Sequence, residues 1–400
     1  MRRSDGTAAL AGLAAQGFTL ASTLLPIAFG DADALVLVVT AGALATVVTP
    51  ALTMAAQHRL PVLDSVARVR SSVRAVATLA PIGASGVLLA TFLILQLSQT
   101  PNPLQLAALI AGIALTQSLF LYSLSLLTRE DRPTILLAAR LLYGVTLFLA
   151  TLAVALAGGS GEAYCVATIA AYLVVLLCLG IWRVHSIASV LSAPVMTFIR
   201  DTRDELIDSR MLVVSTSLGT LGGQVGALVT PTLGQFATSW AVAIRLMSGF
   251  QTLGSQTVGP LVDVRVARSL RARDHSAFSR QVRTANFLGL VIGVGFVFAC
   301  ALALALTDAL PRSGELVPFI AGAILFCGTG VALTPSARIL GLAGKPSARL
   351  AWDSFRFAGG AAILLIPSAT LQLWSLAALG LAIYVAYLSI VRRAIRALET

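Results

Sequence analysis

Long runs of apolar residues alternate along the chain with short segments that carry most of its charge. A helix needs about 20 apolar residues to cross a hydrocarbon core about 30 Å thick, since each residue adds about 1.5 Å. Twelve runs come close to that length: 8–30, 34–56, 75–97, 104–127, 134–157, 163–183, 211–233, 237–262, 284–307, 316–337, 349–371 and 373–391. The pattern predicts an all-α polytopic membrane protein with about twelve transmembrane helices.

The composition agrees with this pattern. Hydrophobic residues make up 57% of the 400 residues and charged residues only 11%, whereas soluble domains carry about 25% charged residues. The mean hydropathy is +0.90. The predicted spans use nearly the whole chain, so the sequence leaves no room for a separate soluble catalytic domain, and we expect a protein that is not an enzyme.

The positions of the basic residues predict the topology. The chain has 28 Lys and Arg against 17 Asp and Glu. When the spans are threaded alternately, every basic residue except Arg140, Arg245, Arg312 and Arg356 falls on one side. The positive-inside rule then places both termini in the cytoplasm. The high content of Ala, Val and Arg, with a single Lys, suggests a GC-rich bacterial genome, so we expect the bacterial cytoplasmic membrane as the location. Topology and anionic lipid explain the positive charge, so we expect membrane lipids and no nucleic acid as partners.

The longest inside segment divides the chain into two halves. Residues 1–183 are predicted to form an N-terminal six-helix half, 184–210 a cytoplasmic amphipathic connector, and 211–400 a C-terminal six-helix half. Each half has a basic loop after its second span, at 59–74 and 265–283. Two bundles that enclose a central cavity are typical of transporters with a site near the middle of the membrane. We therefore expect two six-helix halves.

Four charged residues lie inside apolar runs: Arg140, Arg245, Asp353 and Arg356. A charge at the centre of a span costs about 2.5–3.5 kcal/mol on insertion scales, so these residues are candidates for a functional site. Each also has a structural alternative. Arg140 is close enough to the cytoplasmic end of its span to snorkel, and Arg245 could snorkel to the outer surface. Asp353 and Arg356 are three residues apart and could form an ion pair that only lowers the cost of insertion.

The same residues suggest a substrate. A guanidinium group stays charged when buried and matches the geometry of phosphate oxygens, so cavity arginines suit a diphosphate head group. Asp353 is the one carboxylate well inside a span and is the candidate for Na⁺ or H⁺ coupling; no other cofactor is expected. The polar residues Gln16, Gln224 and Gln251 are expected to line the cavity, although hydrogen bonds between helices explain them as well. Cysteines and histidines show no spacing typical of a metal site.

Two segments resemble a known family. One is the run from Trp240 to Leu246 (WAVAIRL), followed by Val258-Gly-Pro-Leu261; the other extends from Pro335 to Arg349 (PSARILGLAGKPSAR). Together with twelve spans and cytoplasmic ends, they resemble the polysaccharide flippases of the multidrug, oligosaccharidyl-lipid and polysaccharide exporter superfamily. The lipid II flippases of that superfamily carry arginines in their first helices, whereas this chain has none between Arg3 and Arg59.

The resemblance implies two six-helix bundles around a central cavity that opens alternately to each side, which is the architecture of an alternating-access flippase. Its cargo would be a polyprenyl-diphosphate-linked oligosaccharide for a cell-surface glycan other than peptidoglycan, moved from the inner to the outer leaflet. Glycosyltransferases and a polymerase of the glycan pathway would be partners. Within the family pattern, Arg245 is the arginine that the resemblance assigns to the diphosphate; Arg356 and Arg140 are candidates on the basis of depth.

Three alternatives stay open at this point. The first is an ion-coupled exporter of small cationic drugs or metabolites, which would favour an acidic cavity, whereas the candidates are three arginines and one aspartate. The second is a membrane-embedded glycan polymerase or ligase, which would need a large outside loop; the predicted outside loops are short. The third is a membrane scaffold that transports nothing.

Overall fold

The computed structural model describes residues 3–56, 60, 65–130, 132–191, 194–255, 265–266, 269, 274–306, 316–337, 339 and 346–399. Twelve long helices follow one another in this part of the chain. They are α1 Arg3–Ala28, α2 Ala32–Leu52, α3 Val66–Leu97, α4 Pro103–Arg129, α5 Pro133–Leu156, α6 Gly161–Leu191, α7 Val195–Val229, α8 Ala237–Leu253, α9 His275–Leu306, α10 Leu316–Leu333, α11 Pro346–Leu364 and α12 Ala369–Glu399. The predicted all-α class is confirmed.

Each helix corresponds to one predicted span. Nine stretches of the described chain are long and apolar enough to cross a membrane, and one of them, Val195–Leu253, contains both α7 and α8. Helix α1 contributes the shorter apolar stretch Ala14–Ala28. Helix α11 lies outside this set because it carries Arg349, Asp353 and Arg356 within 19 residues. The polytopic membrane fold follows from these helices.

Prolines and capping side chains mark several helix starts. Helices α4, α5 and α11 begin at Pro103, Pro133 and Pro346, where a proline costs no helical hydrogen bond. The carboxylate of Asp31 accepts a hydrogen bond of 2.9 Å from the Ala34 amide and caps α2. The apolar runs set where helices form, and these residues set where they begin.

The chain divides into two compact units, Met1–Thr220 and Leu221–Thr400. In the first unit, α4 packs against α2, α3 and α6. A core cluster at this centre contains Leu52 of α2, Ile110 and Ile113 of α4 and Cys165 of α6. Helices α1 and α5 approach each other so closely that a β-carbon on Gly144 would lie 2.6 Å from the carbonyl oxygen of Ala15. This core cluster is therefore built mainly from small and aliphatic residues.

The core of the second unit surrounds Trp240 of α8. Its ring is fully buried, with the Phe319 ring centroid at 6.2 Å and the Phe326 ring centroid at 6.4 Å. The indole Nε1 donates a hydrogen bond of 2.7 Å to the carbonyl oxygen of Gly226 in α7. Helix α12 packs against α10 and α11, with Gly380 directly against the Leu325 carbonyl oxygen. Aromatic rings and close glycine contacts hold this unit together.

Two irregular segments interrupt the second unit. Residues Thr230–Phe236 form a 3₁₀ segment between α7 and α8, in which Gly234 has φ of 53°, a conformation that favours glycine. The middle of α10, Ala323–Gly328, is wound as a π-helix, a form that often occurs at functional places in helices. Its Phe326 ring contacts Trp240, so the π-segment is part of the core of this unit.

The segment predicted as the connector, 184–210, is helical at every described residue except Pro194. Helix α6 continues to Leu191 and α7 begins at Val195. Helix α7 then runs without a break into the next span and ends at Val229. The domain boundaries predicted from the sequence, 1–183, 184–210 and 211–400, remain a prediction.

Candidate functional site

One face of α11 carries a charged cluster. Trp352 and Asp353 each lie three or four residues from both Arg349 and Arg356, so the four side chains lie on one side of the helix. We refer to these four residues as the α11 cluster. Two of the residues that the sequence indicated for the site, Asp353 and Arg356, belong to it, and the structure brings them together.

Asp353 lies between two guanidinium groups. Its carboxylate is 3.7 Å from Nε of Arg349 and 3.8 Å from Nη1 of Arg356. Both distances allow electrostatic attraction but exceed the range of a hydrogen bond. Asp353 is only 4% exposed, whereas the Arg349 and Arg356 side chains are 26% and 21% exposed. The cluster therefore has two guanidinium groups for one carboxylate, with the carboxylate more deeply buried.

Aromatic contacts fix the guanidinium group of Arg356. Its central carbon lies 4.7 Å from the centroid of the Trp352 ring, a cation–π contact. The Trp352 ring contacts the Tyr387 ring of α12, with centroids 5.8 Å apart. The hydroxyl of Tyr387 donates a hydrogen bond of 2.7 Å to the Ser336 carbonyl oxygen. This chain of contacts ties the cluster to α12 and to the end of α10.

Glycines of α7 make room for Arg356. A β-carbon on Gly222 would lie 2.7 Å from Cβ of Arg356, and one on Gly223 would lie 3.1 Å from its Nη2. A β-carbon on Gly226 would lie 2.6 Å from the Phe326 ring. Gly222, Gly223 and Gly226 therefore all lie at close contacts between helices.

The remaining candidates of the second unit lie on α7 and α8. Arg245 is partly exposed on α8 and is flanked in the chain by the buried residues Ile244 and Leu246. Gln224 is partly exposed on α7, next to Gly223. The amide nitrogen of Gln251 faces α10, since a β-carbon on Gly330 would lie 3.4 Å from it. A role in substrate binding stays a prediction for all three.

Gln16 and Arg140 belong to the first unit. Both are partly exposed, Gln16 on α1 and Arg140 on α5. The two helices pack against each other at Ala15 and Gly144, which are respectively the neighbour of Gln16 and the residue one turn after Arg140. The two side chains therefore belong to adjoining helices of one unit, and their role in binding likewise stays a prediction.

Sequence reasoning missed a buried polar cluster in the first unit. Asp201 and Glu205 of α7 are 6% and 9% exposed, although both were predicted to lie in a cytoplasmic connector. Nε and Nη2 of Arg74 in α3 both lie 2.6 Å from one carboxylate oxygen of Asp201. The signal that could have found it is the four-residue spacing of Asp201, Glu205 and the buried Ser209, which marks one polar helix face.

Trp352 was also missed as part of the charged face. An aromatic residue four positions before an arginine in a span lies one turn away on the same side, and this spacing was available in the sequence. The contact itself depends on how α11 packs against α7 and α12.

Comparison with solved structures identifies this architecture. The chain superimposes on a crystal structure of a MATE in complex with MaL6 with a TM-score of 0.63 and 14% sequence identity, covering 98% of this chain and 95% of that one. The chain has the fold of the MATE transporters. A MOP superfamily transporter from Pyrococcus furiosus matches with a TM-score of 0.62 and 13% identity, and an inward-facing multidrug resistance MATE family transporter with 0.59 and 13%. Both matches cover 98% of this chain and 95% of the other.

Sequence comparisons add no closer relative. No protein-family model matches the chain. No curated protein matches it either. The resemblance to polysaccharide flippases therefore rests on the two segments 240–261 and 335–349, whereas the fold shared with MATE proteins extends over nearly the whole chain.

Proposed function

We propose that this protein is a membrane transporter, not an enzyme, that exports a small organic solute and is driven by an ion gradient. The observation that carries the proposal is the match over 98% of the chain to MATE and MOP superfamily transporters. This favours the exporter alternative over the more specific flippase assignment. We place the transporter in the bacterial cytoplasmic membrane, with both termini in the cytoplasm as the basic residues predict.

The residues proposed to act in transport are chosen by their depth within the predicted membrane spans and by their charge or polarity. Arg356 and Arg245 in the second unit and Arg140 in the first are proposed to contact the solute, with Gln16, Gln224 and Gln251 as polar neighbours. Asp353 is proposed to couple transport to H⁺ or Na⁺. Its carboxylate is buried between two arginines, so binding of a cation or proton there would weaken both ion pairs and release Arg356.

Lipid-linked oligosaccharide flipping is the second candidate. The observation that favours it is the composition of the α11 cluster, which offers two guanidinium groups for one carboxylate and so suits an anionic group better than a cationic drug. The Pyrococcus furiosus transporter is described as having a binding pocket of reverse polarity, which suggests a different function for that protein. The cargo here would be a polyprenyl-diphosphate oligosaccharide, with glycosyltransferases and a polymerase as partners.

Transport by the purified full-length chain in proteoliposomes tests both candidates. One set of vesicles contains a panel of small organic cations and anions, and the other contains a fluorescent polyprenyl-diphosphate oligosaccharide, each under imposed H⁺ or Na⁺ gradients. Gradient-dependent movement of a small solute supports the exporter, and movement of the lipid-linked sugar alone supports the flippase. No movement of either would overturn the transporter proposal.

Two variants test the residues. Arg356→Ala removes charge-assisted hydrogen bonds worth about 1.5–3 kcal/mol, so the transport rate should fall by roughly 10- to 100-fold. Arg393→Ala, at an exposed arginine of α12, is the matched control and should transport normally. Asp353→Asn should retain facilitated movement but lose its dependence on the ion gradient. An unaltered gradient dependence in Asp353→Asn would remove Asp353 from the coupling mechanism.

A further inference from the structure

Two neighbouring N–H groups of the α11 cluster are buried and have no acceptor among the described residues. They are Nε1 of Trp352 and Nε of Arg356. Trp352 is 6% exposed, so its indole N–H has little access to bulk water. A buried donor left without an acceptor loses its hydrogen bonds to water and gains none in return, so such groups are rare in folded proteins. Two of them in one side-chain pair leave adjacent donors available to an acceptor that the described residues do not supply.

The surroundings of these donors favour a negatively charged acceptor. The Asp353 carboxylate is 3.8 Å from Nη1 of Arg356, so this ion pair includes no hydrogen bond from that guanidinium nitrogen. Arg349 adds a second positive charge on the same helix face. A carboxylate or phosphate group would accept hydrogen bonds in the geometry that a guanidinium fork offers, and it would balance the two arginines against Asp353.

The donors are also held in place. The guanidinium carbon of Arg356 is 4.7 Å from the Trp352 ring centroid, the Tyr387 ring contacts Trp352, and Gly223 faces Nη2. Binding therefore requires little reordering of these side chains, which lowers its entropic cost. The partly exposed side chains of Arg349 and Arg356 leave the cluster open to a ligand on their side, while Asp353 lies deeper.

We propose that Trp352 and Arg356 form a binding site for one oxyanion, a carboxylate or a phosphate, with Arg349 as an additional positive charge. The anion accepts hydrogen bonds from Nε1 of Trp352 and from the Arg356 guanidinium group. As a statement about cargo, this inference rests on the proposed function; as a statement about binding, it is independent of transport. The ligand comes either from a free organic or inorganic anion or from the head group of an anionic lipid.

Binding of inorganic diphosphate to the detergent-solubilised full-length chain provides the test. Isothermal titration calorimetry measures the dissociation constant for the unaltered protein and for Trp352→Phe, which keeps an aromatic ring for Arg356 but removes the N–H donor. We expect binding about tenfold weaker in Trp352→Phe, the change that loss of one hydrogen bond worth about 1.4 kcal/mol produces. Trp374→Phe, at an exposed tryptophan of α12, is the matched control and should bind as the unaltered protein does.

A second variant keeps the test decisive if Trp352→Phe does not fold. Gly223→Ala would place a β-carbon 3.1 Å from Nη2 of Arg356, which displaces the guanidinium group without changing any donor. We expect it to weaken diphosphate binding as well. Two results would overturn the proposed anion site: no diphosphate binding to the unaltered chain, or equal binding by Trp352→Phe and Trp374→Phe. The two N–H groups would then be assigned to hydrogen bonds with water.

Competition between diphosphate and anionic lipid distinguishes the two possible sources of the anion. The same titration is made in nanodiscs of phosphatidylcholine alone and in nanodiscs of phosphatidylcholine with phosphatidylglycerol. Weaker binding in the second case supports a lipid head group as occupant, and equal binding supports a free anion. The protein could bind diphosphate more tightly than Trp352→Phe does and yet move no solute in proteoliposomes. That combination would overturn the proposed function but would support the anion site.

Discussion

A β-carbon on Gly222 of α7 would lie 2.7 Å from Cβ of Arg356 and 2.8 Å from its carbonyl carbon in α11. The position of the arginine therefore depends on the absence of a side chain on the neighbouring helix. Because the obstructing atoms include backbone, a larger residue at 222 must push the two helices apart.

Gly222→Ala should lower the stability of the second unit by about 1–3 kcal/mol, the usual cost of overpacking. A thermal melt of the detergent-solubilised protein would show this as a lower Tm. The matched control is Gly86→Ala in α3, where no atom lies within 4 Å of the new β-carbon. Equal Tm values for the two variants would contradict the close contact at Gly222.

The ion pair between Arg74 and Asp201 joins α3 and α7 in the first unit. Both side chains are largely buried, so removing one partner leaves a charge that water solvates poorly. Such losses cost about 3–5 kcal/mol, whereas replacement of both partners by apolar residues is often close to neutral. We expect Arg74→Met and Asp201→Leu each to reduce Tm strongly, and the double variant to recover much of the loss. A double variant as unstable as the sum of the two would argue against a direct interaction.

The hydrogen bond from Trp240 to the Gly226 carbonyl oxygen holds α8 against α7. Trp240→Phe removes the indole N–H donor, so the Gly226 carbonyl oxygen loses this hydrogen bond. It also replaces a fully buried ring with a smaller one. We expect a loss of about 1–3 kcal/mol from the hydrogen bond alone, measured as a lower Tm. Trp374→Phe, on the exposed surface of α12, should melt like the unaltered protein. If Trp240→Phe also melts unchanged, the hydrogen bond contributes nothing to stability.

Asp274 caps the start of α9 outside the membrane-spanning part of the helix. Hydrogen bonds of 2.9 Å from the Ala277 amide and 2.8 Å from the Ser276 hydroxyl hold the pKa of the Asp274 carboxyl below its ordinary value. A lowered pKa means that the cap stabilises the helix above the ordinary aspartate pKa of about 3.9 and is lost as the pH falls through the lower folded value.

Amide hydrogen exchange of the first turn of α9 measures this dependence. After correction for intrinsic exchange, protection of Ala277 should fall on acidification below about pH 4. Asp274→Asn keeps an oxygen acceptor but does not titrate in this range, so its protection should not change with pH. Parallel pH profiles for the two proteins would show that the carboxylate is not responsible.

Much of the fold could be predicted from the sequence, because the membrane imposes a simple length rule. Every helix from α1 to α12 coincides with one predicted apolar run. Helix ends were less predictable. Helix α7 extends back to Val195, beyond the apolar run, because charged residues such as Asp201 and Glu205 end an apolar run but are compatible with a helix.

The sequence predicted the charged residues of the candidate site, but it did not predict how the site is arranged in space. The spacing of Asp353 and Arg356 is enough to place them on one helix face, and their ion contact follows from that spacing. Trp352 and the glycines at 222 and 223 enter the site only through packing of α11 against α12 and α7. The pairing of Arg74 with Asp201 joins residues 127 positions apart, and no local pattern encodes such a contact.

Hydropathy and residue spacing are sufficient to establish that this is a polytopic helical membrane protein, that its charges favour cytoplasmic termini, and that a few charged residues lie within its spans. These are local quantities, which can be read along a single helix. The packing of the helices determines which charges meet, which donors are left without an acceptor and which glycines allow helices to touch. Those properties depend on contacts between helices distant in the chain, where displacements of less than an ångström decide whether two groups bond or clash.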